Sequence, residues 1–377
     1  MGKQLSPASR STAGQFPYLR VANVHLGRID YADVNTMSFS GREREAYSLK
    51  SGDILLNEGQ SLELVGRSAI YEGVDGEYCF QNTLVRFRPS SQVLSAYAQV
   101  IFERWLARGV FASIAKKTTS IAHLGGERFA ALDFPILPLA EQGRIVEIID
   151  AVRAQERTIE ASITKLNAMK AGAIESGLGA MAWDCTLADA ADGPIRNGFS
   201  PVESDTWTGV QMLGLGCLTP AGFKPAQLKN APSPALATHS ATLRDGDLLM
   251  SRANTRELVG LAGVYRDVGT PCIYPDLMMR IRPSARCAAP FLAAVLMSTR
   301  ARRYIRAMAQ GTSESMVKVS AATVRGIPVP LPDIGTQARM LDQLRSFSRQ
   351  VHRESTELAK LRALRVGLVD DLLVGSA

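Results

Sequence analysis

The sequence predicts an α+β fold in which two pseudo-repeated globular domains are separated by two long antiparallel coiled-coil helices. Three observations carry that expectation. The first is a repeat held in register along the chain. Gly52, Asp53, Ile54, Leu55 and Leu56, then Glu63, Leu64, Val65 and Gly66, then Tyr71, return as Gly246, Asp247, Leu248, Leu249 and Met250, as Glu257, Leu258, Val259 and Gly260, and as Tyr265. The spacing is constant, since 246 − 52, 257 − 63 and 265 − 71 each give 194. Arg86, Arg88, Pro89 and Ser90 recur at the same offset as Arg280, Arg282, Pro283 and Ser284; Pro135, Gln142, Arg144 and Leu166 match Pro330, Gln337, Arg339 and Leu361 one residue later. The second observation is a proline-rich connector in each copy, Pro135 to Pro138 and Pro328 to Pro332, where proline holds the chain extended. The third is a heptad stretch after each connector.

The elements follow in order. Residues 1–138 form the first globular domain, 139–180 the first helix, 181–332 the second domain and 333–377 the second helix. Within each domain, short β-rich runs such as 18–24 and 84–88 are punctuated by Gly, Pro and Ser. A helical stretch follows, at 96–116 and again at 290–310, and Val100, Phe102, Trp105, Leu106 and Phe111 are dense enough to bury most of the first. In the first heptad helix Ile149 and Ile163 hold one seam position and Val152, Ile159 and Leu166 the other; Glu156 interrupts. In the second, Leu344, Val351 and Leu358 hold one and Phe347, Leu361 and Leu368 the other, with Glu354 interrupting. Residues 195 apart share a seam position, as in helices built to pack on each other; the alternative is that each stripe covers its own domain.

Composition excludes several classes. Hydrophobic content of 46% and charge of 21% describe a folded chain, and no apolar run is long enough to span a bilayer. The polar N-terminus lacks a signal-peptide pattern. Cys79, Cys185, Cys217, Cys272 and Cys287 are an odd number without CxxC spacing, which favours reduced, mostly buried thiols in a cytoplasm over disulfides or a zinc site. The net charge of +7 is a modest bias towards polyanions. No phosphate loop, HExxH or Asn/Asp-Pro-Pro-aromatic element occurs, and His25, His123, His239 and His352 are scattered. The repeated Glu63 and Glu257 could be a duplicated catalytic carboxylate or part of a turn whose glycine takes positive φ; the turn is the simpler reading. The chain reads as non-enzymatic.

The order of head, Pro-x-Pro connector, Leu139-Ala140-Glu141-Gln142 and heptad helix, repeated once, resembles the specificity subunit of type I restriction–modification systems. So do Tyr18 to Val24 with Gly27-Arg28-Ile29-Asp30, the Gly-Asp-Ile/Leu-Leu strand, and Asp371-Leu372-Leu373-Val374-Gly375. The resemblance implies two target-recognition domains, each reading half of a bipartite double-stranded DNA sequence. It implies helices that dock two modification (methyltransferase) subunits, together with restriction (helicase–nuclease) subunits, in the cytoplasm. No cofactor is implied on this chain; S-adenosylmethionine is expected on the partner methyltransferase. Two other classes are open to the sequence: a helical protein-interaction scaffold without DNA specificity, and a stand-alone nucleic-acid enzyme, which would need a metal or nucleotide site that no motif supplies. Two departures from the family stand out. Trp183 to Ala188 open the second domain with no counterpart after Met1, and Asp333-Ile334-Gly335-Thr336 stand before Gln337 where the first copy has Ala140-Glu141.

If the heads bind DNA, contacts fall to forked and amide donors and to Lys, Arg, Ser and Thr in loops. The candidates are Lys3, Ser9, Arg10, Ser11 and Thr12; Asn57, Gln60 and Arg67; Lys116, Lys117, Thr118, Thr119 and Ser120; Ser251, Arg252, Asn254, Thr255 and Arg256; and Gly311, Thr312 and Ser313 through Lys318. Any one of them could equally be a solvated turn residue. A helix of some 35 residues would place half-sites about 15 base pairs apart, at roughly 1.5 Å per residue and ~3.4 Å per base pair.

Overall fold

The computed structural model describes residues 1–10, 13–118, 121–311 and 313–374. They form two compact units, Met1–Ala161 with Ser355–Ala377, and Ser162–Glu354. The sequence boundaries set each long helix apart as its own segment. Compactness instead divides both helices, Leu139–Gly179 and Ile334–Val374, between the two units.

Each head is built on a strand buried on both faces, which is why its sequence is a continuous apolar run. In the first unit Ile54–Asn57 pairs antiparallel with Ser68–Ile70 and with Leu84–Phe87. Ile54 and Leu56 face a core containing Tyr97, Ile101 and Phe102, while Leu55 faces Leu19, Ala69 and Tyr71. The second unit reproduces this at Leu248–Ser251, with Ala262–Val264 and Met278–Ile281 as neighbours. A further sheet repeats as well: Tyr18 pairs with Cys79 in parallel, as Met212 does with Ile273. Gly66 and Gly260 sit at φ +82° and +78°, and a Cβ there would run into Phe111 or Ile305. The Glu-Leu-Val-Gly repeat is therefore a turn, and Glu63 and Glu257 lie exposed on it.

Two expected elements are cut. The helix expected at 96–116 ends at Ala107; Gly109, at φ +71°, separates it from Val110–Ile114, and Lys116–Lys117 is a strand. Its counterpart breaks at Ser298, whose extended backbone separates Ala289–Met297 from Thr299–Met308. The run from Tyr18 likewise becomes a strand ending at Leu19, a 3-10 turn at Val21–Asn23 and a short strand at Val24–His25. The opening segment of the second head, Cys185–Thr186, pairs with Pro328–Val329. Among the described residues of the first head, the matching positions Asp133 and Phe134 have no such strand partner.

The antiparallel helix pairing read from the heptads is borne out within each unit. In the first, Glu156 bonds Arg365 at 2.8 Å and Glu160 bonds Arg362, so one helix ascends as the other descends. Ile149 and Leu358 are buried, and Val152, Ile159 and Leu361 are half-buried. In the second, Leu166 and Leu344 are buried and Val351 is half-buried, while Leu178 packs in one core with Met340, Leu341 and Leu344. The stripes also cover the heads, since Ile145 and Ile149 join the core of the first. Glu156 does not break the seam. It is buried against Arg365, which also meets Glu103, itself bonded by Arg153 at 2.8 Å.

One side chain fixes each helix start to its head. Gln142 is fully buried; its Oε1 accepts from Leu94 N at 2.8 Å, and its Nε2 donates to the carbonyls of Gln92 and Leu137 at 2.8 and 2.7 Å. Gln337 repeats every bond: Oε1 accepts from Ala288 N at 2.9 Å, and Nε2 donates to Arg286 O and Pro332 O at 2.8 Å each. An amide is required because the three groups are one donor and two acceptors. Gln142→Ala should lower the urea unfolding free energy of the first unit by about 1–3 kcal/mol, the cost of orphaned backbone groups. Gln142→Glu, which cannot donate, should not rescue it. An unchanged midpoint in both variants would show the clamp to be incidental.

Candidate nucleic-acid interface

In each head a small sheet sits beyond the buried strand. In the first, Gly59–Gln60, Ala122–His123 and Lys116–Lys117 are consecutive antiparallel neighbours, with Lys116 opposite His123 and His123 opposite Gly59. In the second, Ala253–Asn254 pairs with Val317–Lys318, and Lys318 bridges to Gln310. The backbone frame is the same down to single bonds. Glu58 N donates to Thr83 O and Leu124 N to Glu58 O, exactly as Arg252 N donates to Leu277 O and Val319 N to Arg252 O.

Paired residues of an antiparallel ladder share a face. One face carries Lys116, His123 and Gly59, matched by Gln310, Lys318 and Ala253. The other carries Lys117, Ala122 and Gln60, matched in the second head by Val317 and Asn254; its middle, Ala122 and Val317, is buried, while Lys117 at its edge is exposed and Gln60 and Asn254 are half-buried. Lys116, Lys117 and Lys318 are exposed, and none of their ammonium groups is engaged in a hydrogen bond or ion pair among the described residues. Gln60 and Asn254 are half-buried, and each uses its carbonyl oxygen on the next backbone N–H, of Ser61 and Thr255, leaving the NH2 group unused. Arg67 and Arg252 are half-buried and each keeps a buried Nε without a partner; burial pulls Arg67 below the usual guanidinium range.

Four expected contacts are placed otherwise. Asn57 and Ser251 are the last residues of the central strands, 0% and 1% exposed, with Asn57 Nδ2 on Val24 O and Ser251 Oγ on Ala253 O. They belong to the interior because the ladder continues through them, so neither reads DNA from a loop. Lys3 is spent internally: its Nζ donates to Ser38 O at 2.6 Å and to Glu43 at 2.8 Å, which holds the Glu43 carboxyl down at about 2. Arg256 is forked onto Glu314 at 2.6 and 2.9 Å and onto Arg306 O at 2.9 Å, closing the loop before Lys318. Ser11, Thr12, Thr119, Ser120, Thr312 and Gly375, and the side chain of Arg10, lie outside the described residues.

The sequence reading passed over His123 and Gln310. His123 stood as one scattered histidine, because its partner Glu58 lies 65 positions away, at 3.1 Å from Nδ1. Gln310 becomes visible only when the strand carrying Lys116 is aligned with it. Among the described residues no cluster of His, Cys, Asp or Glu could hold a metal ion, and no helix is long and apolar enough to cross a membrane. Cys79, Cys217, Cys272 and Cys287 are buried, and desolvation pushes Cys79 and Cys287 up to about 11.

Comparison with known proteins agrees with this geometry. Residues 1–168 match the family described as Type I restriction modification DNA specificity domain. The chain is 22% identical to the EcoKI type I restriction enzyme specificity subunit of Escherichia coli, covering 92% of this chain and 79% of that one. It is 27% identical over 159 residues to the putative MjaX specificity subunit of Methanocaldococcus jannaschii, which covers 42% of this chain and 37% of that one. A solved chain reported for complex assembly and conformational transition of the type I R-M system shares the fold, at a TM-score of 0.62 and 15% identity, covering 100% of this chain and 96% of that one. Two repeated heads with paired long helices are thus the fold that this chain shares with a solved chain of a type I R-M system. Residues 1–168 match the type I restriction modification DNA specificity domain, and over most of its length the chain is similar to curated type I specificity subunits, as its motifs imply.

The Arg256 clamp gives a direct check. Arg256→Ala should lower the melting temperature of the second unit and raise hydrogen exchange at residues 313–318, with base preference unchanged. An altered base preference with unchanged exchange would return Arg256 to the reading residues.

Proposed function

We propose that each head reads one half of a bipartite double-stranded DNA target through its small sheet and the adjoining loops. On this reading Lys116, Lys117 and Lys318 neutralise phosphates, while Gln60, Arg67, Arg252 and Asn254 supply base-edge donors. The observation that carries the reading is one backbone frame, present in both heads, with different polar and charged side chains mounted on it. A scaffold retained under divergent decoration is what two readers of dissimilar half-sites require. The long helices, meanwhile, would dock two modification subunits, whose methyltransferase site would hold S-adenosylmethionine, with restriction subunits assembled around them. Support for assembly comes from the solved relative, which is reported in the context of complex assembly.

The test is DNA binding by the full chain with its modification subunits across a salt series. Phosphate contacts act through counterion release, so Lys116→Ala with Lys117→Ala should weaken binding to every sequence and flatten the salt slope by nearly two units. Arg252→Ala or Asn254→Ala should instead relax one half-site, at about 1–3 kcal/mol per lost base contact. Uniform loss from the second pair, with specificity intact, would make those residues phosphate anchors. No DNA affinity from the wild-type assembly would reject the reading in favour of a protein-interaction scaffold.

A further inference from the structure

The two heads differ most sharply at one pair of positions on their common frame. Glu58 and Arg252 make the same backbone bonds, and so occupy equivalent places. His123 and Lys318 both sit on the middle strand, opposite Gly59 and Ala253. The first head therefore carries a carboxylate and an imidazole where the second carries a guanidinium and an ammonium.

The chemistry of the pairs is opposite. The Glu58 carboxylate, only 12% exposed, can accept but not donate, so the proton between it and His123 Nδ1 belongs to the imidazole. In the neutral tautomer with Nδ1–H on Glu58, Nε2 is a lone-pair acceptor, on a side chain 43% exposed. Arg128 fixes the strand beneath it by donating to His123 O at 2.7 Å. In the second head neither cation can satisfy the other. Lys318 has no side-chain partner among the described residues, and Arg252 keeps a buried Nε unpaired. That pair can only donate, and its acceptor must come from outside. The His123 ring lies against Gly59, and Ala253, opposite Lys318, is buried, so at these positions the half-exposed His123 and the exposed Lys318 side chains are what a base edge can reach.

We infer that the Glu58–His123 and Arg252–Lys318 pairs are the residues that set base identity at one matched position of each half-site, with opposite hydrogen-bond polarity. The first head takes a base that presents an amino group in the major groove, adenine N6 or cytosine N4. The second takes a base that presents acceptors, guanine O6 and N7. The inference rests on the proposed reading of the small sheets as the DNA face and goes further by assigning which chemistry each accepts.

The experiment maps the methylated sequence produced by the full chain with its modification subunits and measures competition by duplexes altered one base pair at a time. His123→Ala should cut discrimination at a single position of one half-site by roughly 10- to 100-fold and leave the other half-site alone. Glu58→Gln should relax the same position, because a glutamine amide can donate to Nδ1 and so allow the other tautomer. It retains size and serves as the control should His123→Ala unfold the head. Glu58→Arg combined with His123→Lys should switch that position from an amino-bearing base to guanine. A selective wild type whose preference is unmoved by these variants would overturn the inference alone, and so would equal weakening on all sequences, the mark of a phosphate contact. A wild type without sequence preference would remove the DNA-reading function itself, and the inference with it.

Discussion

The structure depends on a single amide in each half. Gln142 and Gln337 each gather one backbone N–H and two carbonyls from the head and its connector, and they do so from within the first turn of a long helix. Without them the helix start would lose its tie to the head, since the other connector bonds, from Tyr97 to Pro135 O and between Pro328–Val329 and Cys185–Thr186, hold only the first residues of each connector. With them, the helix direction is set relative to the head that precedes it. A reader of fixed geometry needs that constraint, because base-edge contacts tolerate little displacement.

The helix pair then carries that constraint along its length by packing and by charge. In the first unit the seam holds Ile149 and Leu358, but also an ionic network in which Arg365 meets both Glu156 and Glu103, and Arg104 and Arg108 both reach Asp370. Buried ionic contacts add little net stability compared with apolar packing, yet they strongly penalise a shifted register, since a slip strands a charge. In the second unit the equivalent work is done by Leu178, Met340, Leu341 and Leu344, with Glu175 capping Thr299 at 2.7 Å. Along the helix pair the repeat is thus one of backbone, whereas the Gln142 and Gln337 clamps repeat in their side chains as well.

Much of the frame was legible because it obeys simple periodicities. A strand buried on both faces must be apolar throughout, so Ile54 to Leu56 and Leu248 to Met250 advertised themselves, and the heptads of Ile149, Val152 and Leu344 did the same. Boundaries set by single residues were less visible. Gly109 and Ser298 break the helices through their backbone conformations, directly after strongly apolar helical runs. Several of the candidate residues do come together on one small sheet in each head, while others lie elsewhere. Asn57 and Ser251 look like loop amide and hydroxyl groups in sequence, and only the ladder shows them inside. Lys3 and Arg256 look free until Glu43 and Glu314, 40 and 58 residues away, are brought against them. His123 was hidden for the same reason, since a histidine acquires meaning from its neighbour in space.

The central proposal is that the two heads read dissimilar half-sites and that the length of the long helices sets the gap between them. It is tested most directly by genome-wide mapping of methylated adenines with the modification partner present, for the wild type and for a chain lacking one matched heptad from both long helices. The account predicts two dissimilar half-sites with unread base pairs between them. It also predicts a gap shortened by about three base pairs in the deletion, at roughly 1.5 Å per helical residue and ~3.4 Å per base pair, with both half-sites unchanged. A contiguous recognition sequence, or a gap indifferent to the deletion, would contradict it.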